Sequence, residues 1–256
     1  MMESILESLH ACLPAGTIEG VYGGGSSLKG WDSVIDYVPE LSDVDVHILL
    51  TDPALLEQNL DRVFAFQAEY ERRFAERFPD PIHYPRPQIM VINRHLANPA
   101  FLPGPPGTGR TLFGKPLDKV RPQPADFEFV RKTDRESLIQ ERERQWIAGL
   151  PDHLIDRPGK YLWQPVRDAS WRVAPTGPRV LSVLGASFAE AWGHNRTGVH
   201  ARLIAAGQTE FAEAYAGYYL EGWAFFLSGY REAEHGRAAL RWATRVIELG
   251  AEVGQE

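Results

Sequence analysis

Residues 42–50, SDVDVHILL, alternate acidic and aliphatic side chains in a way that admits few structures. Side chains two apart on a strand share a face. A strand here puts Asp43, Asp45 and His47 on one side and Val44, Val46 and Ile48 on the other, against the interior. Neighbouring carboxylates on a rigid strand repel each other and cost stability unless a positive charge stands between them. A divalent metal ion is the usual answer.

The stretch just before it, VYGGGSSLKG at residues 21–30, has the complementary chemistry. Gly23, Gly24 and Gly25 can take positive φ and let the main chain approach a ligand, and Ser26 and Ser27 add hydroxyls beside exposed N–H groups. Proteins hold phosphates in this way. A phosphate-holding turn followed by a carboxylate pair implies a nucleoside triphosphate with Mg²⁺ bridging its phosphate oxygens. Aspartates that merely decorate a solvated strand end would not need the glycine segment.

Residues 22–30 followed by Ser42, Asp43, Val44 and Asp45 resemble the G-S-x-x-x-G … S-D-x-D signature of the polymerase-β-like nucleotidyltransferases, and within them the bacterial aminoglycoside adenylyltransferase group. Gly25, Ser26 and Gly30 match the turn, and Asp43 and Asp45 match the metal pair. The resemblance implies an α/β N-terminal nucleotidyltransferase domain over residues 1–110, a small mixed sheet flanked by helices. It implies an all-α helical-bundle domain over 111–256 that receives a small-molecule acceptor in the cleft between the two. The implied reaction moves AMP, or another nucleoside monophosphate, from a Mg-NTP to a hydroxyl of that acceptor, an aminoglycoside-like compound being one candidate. Asp43 and Asp45 would be catalytic and would hold Mg²⁺; Gly24, Gly25, Ser26, Ser27 and Lys29 would hold ATP, the donor.

Two departures from the family pattern stand out. The connection from Ser26 to Asp43 is longer than usual, and WDSVIDYVPEL fills it as an irregular excursion. The family also carries a third acid on the next strand, QIMVINR, where this chain has Gln88. An amide cannot accept the acceptor's proton, and it binds a hard metal more weakly than a carboxylate. Asp80, His83, Glu40, His47 or an acid from a second copy in a homodimer are the substitutes left open. Two other functions therefore stay beside the first: a catalytically silent nucleotide-binding relative, and a transferase that modifies a protein or a tRNA end, antitoxin-like members included.

The formal charge of −7 argues against a nucleic-acid substrate gripped by its backbone, and suits a cationic small molecule. Cys12 is the single cysteine, so no disulfide framework or thiolate cluster is available. The first sixteen residues carry acids rather than a basic segment and make a poor secretory signal, and no apolar run reaches the roughly 18 residues of a membrane span. The expectation is a cytoplasmic protein without a membrane partner.

Periodicity predicts a helix over residues 2–13, a strand over 17–22 and, in the resembled fold, a helix beginning after the glycine turn. A single helix is expected from 54 to 78. GRTLFGK within the proline- and glycine-rich boundary at 101–124 imitates a Walker A loop, but Pro116 stands where Ser or Thr is needed, so it reads as a chance match; the family's Leu-Phe-Gly segment at the domain junction is the better reading. Helices follow over 127–150, 161–173 with an end at Pro175, 179–192, 199–206, 210–228 and 233–249. The aromatic residues crowded into this half would form its core or line the acceptor's cleft.

Overall fold

Residues 18–24, IEGVYGG, form β1, Ile18–Gly24, whose two edges organise the first part of the molecule. In a computed structural model that describes residues 1–96, 98, 101, 105, 108–120 and 127–256, β1 pairs antiparallel with β2, Val44–Leu50, and with a strand near residue 112. A further strand, β3, Pro87–Val91, runs parallel to β2. The late strand is β4, Arg110–Gly114, and the sheet order is β3-β2-β1-β4. The proline- and glycine-rich boundary lies partly outside the described residues. β4 lies within the Walker A look-alike, and the Leu-Phe-Gly segment is the end of that strand.

The chain forms two units, Met1–Leu28 with Asp43–Pro124, and Lys29–Ser42 with Ala125–Glu256. The first unit therefore runs past residue 110, because β4 is one of its strands, and it lacks residues 29–42.

In the first unit, α1, Met2–Cys12, matches the expected first helix. The expected long second helix is two, α2, Ala54–Glu57, and α3, Leu60–Arg77. Asn59 divides them: its backbone is extended and its side chain accepts from Arg62 N at 3.0 Å, an N-cap that starts a new helix. The apolar face continues across the break, which is why periodicity alone does not reveal it. These helices supply the crossover that a parallel β2–β3 pair requires. Ile5, Leu9, Val21, Val44, Val46, Ile48, Phe66, Tyr70 and Phe74 form the core beneath α1 and α3. Among the described residues a smaller cluster of Tyr22, Leu49 and Ile92 forms apart from this core, and Leu96 of the short helix α4, Asn93–Leu96, and Leu117 and Val120 of α5, Leu117–Val120, pack against it.

The second unit is helical: α6, Glu128–Leu138; α7, Glu141–Leu154; a 3₁₀ turn, Gly159–Leu162; α8, Trp163–Val183; α9, Phe188–Trp192; α10, Arg196–Ala205; α11, Thr209–Leu227; and α12, Ala233–Gln255. Residues 127–150 are thus two helices rather than one. α8 runs through Pro175 and Pro178, where the sequence suggested a stop. Each interior proline costs about 3 kcal/mol. Burying Val166, Val173, Val180 and Leu181 on that helix returns roughly 1.5–3 kcal/mol apiece, which matches or exceeds that cost. Pro178 leaves the Ala174 carbonyl without its helical donor, and the Tyr215 hydroxyl lies 3.5 Å from that oxygen. Tyr215, Tyr218, Tyr219 and Phe225 are core residues of the bundle, whereas Tyr161 and Trp171 stand exposed. Among the described residues no helix is long and apolar enough to cross a membrane.

Residues 29–42 have neither helix nor strand, as expected of an excursion, yet they are built into the helical unit. Ile35, Val38 and Leu41 join the bundle's core. Asp36 is 1% exposed, and its carboxylate accepts from Thr197 N and Thr197 Oγ1, both at 2.8 Å, from Asp32 N at 2.8 Å and from Ser33 N at 3.0 Å. Arg196 donates to Ile35 O and to Ser42 Oγ, both at 2.9 Å. Burial works to raise the Asp36 pKa, but the hydrogen bonds from Thr197, Ser33 and Asp32 outweigh it and hold the carboxyl below the ordinary range.

A folded-state pKa below the unfolded one means that Asp36 stabilises above its unfolded value of about 3.9, and that this contribution is lost as pH falls through the depressed folded value. Asp36→Ala strands four donors and is expected to cost about 3 kcal/mol in urea unfolding at pH 7, and less near pH 3. Equal wild-type and variant stability at pH 7 would show that Asp36 does not hold this segment.

Candidate functional site

The register of β2 and β3 assembles the site. Asp45 pairs with Gln88, Val44 pairs with Pro87, and Val44 N donates to Arg86 O at 3.0 Å, so Arg86 comes alongside Asp43. Residues two apart share a face, which sets Asp43, Asp45, Arg86 and Gln88 on one side. Both guanidinium arms reach Asp43: Arg86 Nε donates to Oδ1 at 2.8 Å and a terminal nitrogen to Oδ2 at 2.9 Å. With its amide turned to donate, Gln88 Nε2 lies 2.9 Å from Asp43 Oδ2 and 3.3 Å from Asp45 Oδ1, spanning the pair. The positive charge that faces the aspartates here is therefore an arginine. The Asp43 side chain is 10% exposed and that of Arg86 52%, so solvent limits the ion pair to about 1 kcal/mol.

On the other edge of β2, Gly24 pairs with Asp45. Gly25 follows with φ +70°, and a Cβ added there would fall 1.7 Å from Asp45 Oδ2. A glycine is required at this point both by backbone conformation and by the carboxylate that occupies the space. The chain then makes a turn, with Leu28 N donating to Gly25 O at 3.3 Å and Ser27 Oγ to Gly24 O at 3.1 Å. Ser26 lies in this turn. No helix begins here, contrary to the expectation for the resembled fold.

Of the residues singled out by sequence, Asp43, Asp45, Gly24, Gly25, Ser26 and Ser27 come together in the first unit. Lys29 belongs to the helical unit. It opens the segment held by the helical unit, where its ammonium donates to Trp192 O at 2.8 Å and His194 O at 2.7 Å. Carbonyls at the end of α9 lack helical donors, and a lysine satisfies them well. Glu40 also lies in that segment, with φ +67°; burial raises its pKa, and Arg167 opposes the rise. His47 shares Asp45's face opposite Tyr22, and burial together with His95 pushes its pKa down, leaving the imidazole neutral at pH 7.

Nothing local in the sequence brings Arg86 to the aspartates. Alternation along RPQ puts it on the face of Gln88, and a parallel partner strand then brings it to Asp43, so the signal existed once the pairing was known.

Two carboxylates on one strand suit a Mg²⁺ ion that takes one or two protein carboxylates and completes its shell with phosphate oxygens and water. They do not make a closed metal cage: among the described residues no group of three or more His, Cys, Asp and Glu stands together for a metal. Searches find no protein-family model that matches this chain and no curated protein that matches it.

Gly25→Ala is expected to lower the melting temperature by several degrees, since a left-handed non-glycine residue costs roughly 1–2 kcal/mol and its Cβ displaces Asp45. Gly24→Ala would meet only Asp45 Cβ at 4.0 Å, so its effect should be much smaller. Equal melting shifts for the two variants would contradict the packing of Gly25 on Asp45.

Proposed function

We propose that this protein transfers a nucleoside monophosphate, AMP from ATP in the leading case, to a hydroxyl of a small acceptor. The observation that carries the reading is the pair Asp43 and Asp45 at the head of β2, with the backbone of Gly25 closed against the Asp45 carboxylate. Bound Mg²⁺ would supply the charge that neutralises a triphosphate and favours departure of pyrophosphate. Asp43 and Asp45 are the residues that would hold it. The main chain of Gly24 and Gly25 and the hydroxyls of Ser26 and Ser27 orient the phosphates.

Gln88 cannot take the acceptor's proton. A neutral imidazole can, and His47 lies on Asp45's face, two residues along the strand. The ion pair from Arg86 is no obstacle to the donor: about 1 kcal/mol stands against ~7 kcal/mol for a ligand bound at about 10 μM. The net charge of −7 favours a cationic acceptor, aminoglycosides among them, over a nucleic acid.

A second reading, a nucleotide-binding protein without turnover, is favoured by one specific observation: the Gln88 amide bridges both carboxylates where a third acid would serve catalysis.

Titration calorimetry of Mg-ATP into wild type and Asp45→Asn, with pyrophosphate release measured against aminoglycosides and other small hydroxylated compounds, separates these readings. Transfer predicts affinity reduced about 100-fold in Asp45→Asn and acceptor-dependent pyrophosphate in wild type. Binding without turnover, with pyrophosphate appearing in Gln88→Glu, would establish the silent protein. No binding of Mg-ATP by wild type would sink both.

A further inference from the structure

We infer that Arg86 is a phosphate-binding residue that changes partner, held by Asp43 in the free protein and by the polyphosphate when nucleotide and metal are bound. The inference rests on the nucleotide reading above.

The backbone of Arg86 is held firmly. Pro85 and Pro87 flank it, and a residue before proline keeps to extended conformations. The Tyr70 hydroxyl donates to Pro85 O at 2.7 Å, and Val44 N donates to Arg86 O at 3.0 Å. The side chain is different: it is long, half-exposed and anchored at its tip by the Asp43 carboxylate. Releasing that tip needs no movement of the strand.

The two oxygens it occupies are the ones a cation at Asp43 would need. A guanidinium and a divalent ion on the same carboxylate repel each other, so the metal must compete with Arg86. Once displaced, Arg86 remains a side chain's length from the site with a planar fork whose geometry matches a phosphate as well as a carboxylate. The same residue thus opposes the bare metal and favours the metal–nucleotide complex. A purely structural arginine would not produce effects of opposite sign.

The test uses the full chain with two probes. Mn²⁺ alone is titrated by electron paramagnetic resonance, and Mg-ATP by calorimetry, on wild type, Arg86→Ala and Arg86→Lys. Arg86→Ala is expected to bind Mn²⁺ about fivefold more tightly, the loss of one half-exposed ion pair, and Mg-ATP about tenfold more weakly, the loss of a charged hydrogen bond. Arg86→Lys, which keeps the charge without the fork, should lie between wild type and Arg86→Ala on both axes. Mn²⁺ affinity unchanged or weakened in Arg86→Ala overturns the competition. Mg-ATP binding that is present in wild type and unchanged in Arg86→Ala overturns the phosphate role alone. If wild type binds no Mg-ATP at all, the nucleotide reading itself has failed and the exchange fails with it. Should Arg86→Ala not fold, Arg86→Lys carries the same comparison, and wild-type affinities for either probe would then contradict the proposal.

Discussion

The parallel register between β2 and β3 is the constraint on which the site depends. Pairing Asp45 with Gln88 aligns Asp43 with Arg86, and the pleat turns all four side chains to one face. A slip of one residue would send Arg86 and Gln88 to the opposite side, away from the two carboxylates. That register is held by the aliphatic side of the same strand, where Val44, Val46 and Ile48 are fully buried beneath α1 and α3. The core and the polar face are two consequences of one alternation.

Electrostatic balance at this face is local and adjustable. Arg86 supplies a full charge from a half-exposed position, whereas Gln88 supplies only the partial charge of an amide, but to both aspartates at once. Neither contact is strong enough to exclude a ligand that brings several charges of its own. Gly25 contributes by absence, since the space beside its Cα is filled by Asp45 Oδ2.

The segment from Lys29 to Ser42 separates the glycine turn from the aspartates in sequence while belonging to the helical unit in space. It is retained by buried polar groups rather than by secondary structure. Asp36 serves as the acceptor for four donors, Arg196 binds the main chain and Ser42, and Lys29 satisfies carbonyls beyond α9. Such networks require complete satisfaction, because an unmet donor in a buried setting costs its full desolvation penalty, more than a made hydrogen bond contributes on balance. The segment is thereby an integral part of the helical unit, with the Lys29 ammonium on Trp192 O and His194 O.

What the sequence determined was whatever depends on neighbours along the chain. The alternation at 42–50 set the faces of β2, the triple glycine marked a turn, and helical periodicity identified α1 and the bundle, because these patterns report local backbone geometry and which side of an element avoids water. Only the tertiary structure decided the partners. That Arg86 neutralises Asp43, that α8 continues through its prolines, and that residues 29–42 join the helical unit all follow from contacts between distant segments. Burial energies of several kcal/mol there override local preferences of about 1–3 kcal/mol, and no single window of sequence contains both sides of such a contact.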